Sequence, residues 1–99
     1  MKNLIDGDED IERLCLDELQ SLSRYPIIRR PQIIGYFPSG YISELKLLID
    51  FVHNENSGRD IQKCSDFKTN DYLYFRIGKS QWEYEKNRVI DEFKSILKR

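Results

Sequence analysis

The sequence has two cysteines, three prolines, a single histidine and no long apolar run, and each scarcity removes a class of protein. No stretch approaches the roughly 20 apolar residues that a helix needs to cross a bilayer, so no membrane span is expected. Met1 to Asp6 carries no apolar signal core before the acids begin, and export is not expected either. Cys15 and Cys64 lie far apart without CxxC spacing, which fits ordinary thiols in a reducing cytoplasm. Together with His53 they lack metal-ligand spacing, so neither a metal site nor a cofactor is expected. P-loop and GxGxxG patterns, internal repeats and low-complexity tracts are all missing. The net charge of −1 gives no global basic signature for nucleic acid.

What is there fits one domain over residues 1–99 with a frayed start over 1–7, since 99 residues leave no room for two cores. Charge is unevenly spread. Residues 1–20 hold seven acids against Lys2 and Arg13, a net of −5, and the remainder holds 14 basic and 10 acidic side chains, a net of +4. That asymmetry speaks about partners rather than fold.

Periodicity gives the elements. A helix is expected from near Asp8 to near Ser23, with acids at its positive end and Ile11, Leu14, Cys15, Leu19 and Leu22 on one stripe. Pro26 to Pro31 reads as an edge strand or a connector, because proline cannot donate to a sheet ladder. Gln32 to Phe37 reads as a strand, Pro38-Ser39-Gly40 as a turn, and Tyr41 to His53 as the most apolar helix. That helix shows a main stripe and a second one formed by Leu47 and Phe51. Asn54 to Asn70 is a polar loop with a short helix over Arg59 to Cys64. Asp71 to Ile77 alternates as a strand, with Leu73, Phe75 and Ile77 on one side and Tyr72, Tyr74 and Arg76 on the other. Ser80 to Glu83 is a capping box opening the last helix. The fold class is α/β, bordering on α+β. The expected architecture is a small two-layer sandwich in the order helix, edge strand, strand, helix, loop, strand, helix. Its helices lie mainly on one face of a short sheet, and strands 32–37 and 71–77, if they pair directly, are parallel.

No catalytic constellation stands out. A calcium loop starting at Asp6 fails, because Ile11 stands where glycine is needed and Asp17 where a bidentate Glu is needed. Glu44-Leu45-Lys46 resembles a nuclease E-x-K only in spelling, and Glu83 and Glu85 fall on opposite sides of a helix. An enzyme is thus the least supported class. Pro38-Ser39-Gly40 is a weak anion site at best. Two surfaces remain. Asp6, Asp8, Glu9 and Asp10 form an acidic docking end, and Tyr72, Tyr74 and Arg76 form an interface-like strand face. Leu47 and Phe51 are candidates for an oligomer interface. These features together lead to the expectation of a small cytoplasmic protein-binding module. It would inhibit or regulate one larger partner, in the manner of an antitoxin or immunity protein facing a basic nuclease-like toxin. The alternatives are an RNA- or DNA-binding domain using the aromatic and arginine strand face with Arg24, Arg29 and Arg30, and a structural homodimer.

Overall fold

The computed structural model describes residues 4–53 and 59–98, with side chains described from residue 10 in the first helix and from residue 62 in the second. Helix α1 spans Leu4–Leu22. Strands β1 (Ile28–Arg29) and β2 (Gly40–Ile42) follow, then a single 3-10 turn over Ser43–Leu45 and strand β3 (Leu47–Val52). Helix α2 (Arg59–Thr69), strand β4 (Leu73–Gly78) and helices α3 (Lys79–Tyr84) and α4 (Lys86–Leu97) complete the order. The sheet runs β1-β2-β3-β4. Its first two pairs are antiparallel and β3/β4 is parallel, with α2 as the crossover. The result is a small mixed α/β sandwich.

The two faces of the sheet are covered unequally. On one, Leu47, Ile49 and Phe51 of β3 and Phe75 and Ile77 of β4 join Cys15, Leu16 and Leu19 of α1. Trp82, Val89 and Phe93 from α3 and α4 close the same core. Each large side chain removed from water here contributes about 1.5–3 kcal/mol. The other face carries Leu48, fully buried, and is met by α2. Phe67 of α2 packs its ring against Tyr36, Tyr72 and Tyr74.

Several expected elements hold. The helix expected from Asp8 begins earlier, at Leu4, and residues 1–3 of the expected frayed start lie outside the described residues. The edge strand is β1, the alternating strand is β4, and α2 continues past Cys64 to Thr69. The last helix is two, broken where Glu85 adopts φ −130°. At the start of the first of them, the Gly78 N–H donates to Gln81 Oε1.

The central helix is corrected. Tyr41 to His53 forms β2, the 3-10 turn and β3, with Lys46 in the left-handed region at φ +50°. Its two apolar stripes are the two faces of one strand. A strand buried on both sides reads as a continuous apolar run, which helical periodicity also accommodates. Leu47 and Phe51 are 0% and 4% exposed, so they are spent on the core and offer no surface to a second copy. The strand at Gln32 to Phe37 is corrected as well. Ile33 and Tyr36 exchange backbone hydrogen bonds at 2.9 Å, and Ile34 and Gly35 reverse the chain between them at φ +43° and +85°. The parallel pair is therefore β3 with β4.

Candidate functional site

The buried stripe of α1 is Glu12, Cys15, Leu16 and Leu19, spaced three and four apart, while Leu14 is 58% exposed. A carboxylate thus occupies a core position. Glu12 is 7% exposed, and a buried charge must be paired. Its partners come from two other elements. Arg30 donates through Nη2 to Glu12 Oε2 at 2.6 Å, and His53 approaches Oε1 through Nε2 at 3.3 Å. His53 sits just past the end of β3, its ring edge-on to Phe51. Arg30 follows β1 and adopts φ +47°, its N–H donating to the Ser39 carbonyl at 3.1 Å. That uncommon backbone region is held by the hairpin's own hydrogen bond.

A cleft of about 490 Å³ opens beside this group, lined by Glu12, Arg13, Leu16, Arg29, Arg30 and Ser39. Ser39 is buried, and its Oγ accepts the Phe51 N–H at 3.0 Å, which ties the cleft wall to β3. Its three arginines are each bonded to an acid of α1, Arg13 to Asp10, Arg29 to Asp17 and Arg30 to Glu12, and a guanidinium keeps further donors that an anionic ligand could take.

A second polar group lies on the other face of β3. Asp50, 5% exposed, accepts at Oδ2 from Lys63 Nζ at 2.8 Å and from the Tyr74 hydroxyl at 2.7 Å. Nearby, the Tyr36 hydroxyl donates to Asp66 at 2.6 Å, and that bond, with some desolvation, pushes the phenol above its ordinary range. One strand thus delivers an acid to one face and a histidine to the other, at the carboxyl end where open α/β sheets bind ligands. As for metals, the Glu12 oxygens are taken by Arg30 and His53, and Asp50 Oδ2 by Lys63 and Tyr74. Among the described residues no three His, Cys, Asp or Glu side chains are grouped to hold an ion.

The residues singled out from the sequence are not brought together. Asp10 lies on α1 and pairs with Arg13 at 3.1 Å. Asp6, Asp8 and Glu9 belong to the same helix, and their side chains lie outside the described residues. Tyr72, Tyr74 and Arg76 are on the opposite face of the sheet from α1, half-buried and beside Phe67 and Asp50. Sequence reasoning named Arg30 only within the basic set Arg24, Arg29 and Arg30, and it missed Glu12 and the grouping of both with His53. The available signals were an acid at the spacing of the α1 stripe and an acid inside the apolar run of β3.

No protein-family model matches the chain, and no curated protein does. Among solved structures, the catalytic domain of the homing endonuclease I-Bth0305I superposes with a TM-score of 0.71 at 16% identity, covering 87% of this chain and 91% of that one. The chain shares its fold with an endonuclease catalytic domain. This endonuclease-like fold overturns the expectation of an inhibitory or immunity-type binding module. Outside the docking end itself, three of the seven acids of residues 1–20 are paired within the chain. Glu12, Asp17 and Glu18 are spent on Arg30, Arg29 and Lys86 of the same chain. The aromatic strand face proposed for nucleic acid is in turn packed under α2. Among the described residues, no helix is long and apolar enough to cross a membrane.

Proposed function

We propose that the chain is a nuclease domain that hydrolyses phosphodiester bonds of DNA at the Glu12–Arg30–His53 cleft. The observation that carries the reading is the convergence of those three residues, from three separate elements, on a fold shared with an endonuclease catalytic domain. The chemistry follows from the contacts. Glu12 accepts the Nε2–H of His53, which leaves Nδ1 as the lone-pair nitrogen of the neutral ring. Nδ1 takes a proton from the attacking water as its oxygen bonds to phosphorus. The bond to the leaving oxygen then breaks, solvent water protonates that oxygen, and the imidazolium returns its proton to solvent. Glu12 stabilises the imidazolium so formed, and Arg30 and Arg29 hold the phosphate and offset the charge that builds on it. The buried Glu12 is the positioning residue, and His53 is the catalytic base.

A labelled duplex oligonucleotide tests this with the wild-type chain and with His53→Ala, Glu12→Gln and Arg30→Ala. His53→Ala and Glu12→Gln lower kcat by about 100-fold or more with KM little changed. Arg30→Ala raises KM and makes the loss of binding with salt shallower, by about one phosphate contact. Undiminished cleavage by His53→Ala would remove the assignment.

A further inference from the structure

The tip of the β1–β2 hairpin is anchored by Tyr36, whose ring meets Phe67 and whose hydroxyl bonds Asp66 of α2, yet it leaves other apolar side chains in water. Ile34 and Phe37 are 44% and 63% exposed, and Ile28 on the edge strand is 47% exposed. Scattered exposed apolar side chains are ordinary, but Ile34 is also held at φ +43°. A two-residue reversal with both central residues at positive φ favours Asn or Gly at each, and a β-branched residue there is a true outlier. Gly35 follows the rule and Ile34 breaks it. Ile34 is not buried in return, so the local preference and the residue conflict within the turn. Such a conflict is the kind of observation from which a function is inferred.

The tip is joined to the cleft wall along both legs of the hairpin. Phe37 stands two residues before Ser39, which lines the cleft, and Arg30 on the other leg is bonded to the Ser39 carbonyl. Arg29 and Arg30 at the base of the hairpin are phosphate-binding residue types, and each keeps donors beyond its bond to Asp17 or Glu12. Building on the nuclease reading, we propose that Ile34 and Phe37 are a wedge that enters duplex DNA between neighbouring base pairs while the arginines hold the adjacent backbone. Apolar side chains inserted in this way unstack a base step and kink the duplex. The wedge would present a distorted, accessible phosphodiester to the Glu12–His53 pair.

The test uses the full chain and duplexes carrying 2-aminopurine at successive positions, read by stopped flow before cleavage. Binding of the wild type raises the fluorescence at one or two adjacent steps. The double variant Ile34→Asn with Phe37→Ser loses that rise and binds the duplex about tenfold more weakly. Its melting temperature stays equal to or above that of the wild type, because Asn suits the left-handed position. If the wild type cleaves duplex with no rise at any position, or the variant keeps the rise, the wedge is wrong and the nuclease reading stands. If the wild type neither binds nor cleaves duplex, both fall. A dimer in sedimentation that the double variant dissolves would make the tip a contact between copies and overturn the wedge.

Discussion

Glu12 and His53 are 41 positions apart in the chain and 3.3 Å apart in space. The contact exists because α1 places an acid on its buried stripe and β3 ends its apolar run at the same depth. Arg30 completes the neutralisation of that acid from a third element.

Glu12→Ala should cost only about 1–2 kcal/mol in urea denaturation, because Arg30 is 64% exposed and can turn to water. A loss of the fold would show that the acid serves the core first and the cleft second.

Asp50 is set differently. Its partner Lys63 is only 21% exposed, so Asp50→Ala strands an ammonium and should cost about 3 kcal/mol. Tyr74→Phe removes one hydrogen bond to the same oxygen and should cost about 1.5 kcal/mol. The double variant Asp50→Ala with Lys63→Met should regain part of the loss in the same denaturation series. Additive losses would contradict a mutually dependent pair.

Burial, with smaller contributions from Glu18 and Glu12, pushes the Cys15 thiol up to about 12 from 9.0. A thiol raised on folding holds its stabilising contribution below the unfolded value and loses it as pH climbs to the folded one, so this contribution fades between pH 9 and 12. At pH 8 an aromatic disulfide reagent should label half-buried Cys64 first and reach Cys15 only on unfolding. Equal labelling rates on the native chain would contradict this packing.

Gly40 opens β2 where a Cβ would lie 2.7 Å from Ile27 Cγ2. Gly40→Ala should therefore lower stability by about 1–3 kcal/mol through overpacking, measured by thermal melting. Gly35→Ala meets no atom within 4 Å, and its smaller cost should come from φ +85° alone.

The fold class was legible because alternation in Leu73 to Ile77 and the helical stripes at both ends are strong local signals. The centre was misread for a physical reason. Leu47 to Val52 is buried on both faces, so it lacks the alternation that marks a strand. Ile33 to Tyr36 looked extended because its apolar residues conceal a reversal that Ile34 makes against its own preference. The site was illegible for the same reason that it works. Glu12, Arg30 and His53 are joined only by tertiary packing, and no spacing along the chain announces them.

The most direct measurement is conversion of supercoiled plasmid to nicked and linear forms by the purified full chain beside His53→Ala, both shown to be folded by circular dichroism. The account predicts steady conversion by the wild type and at least about a 100-fold slower rate for the variant. Equal rates, or no conversion by a folded wild-type chain, would contradict it.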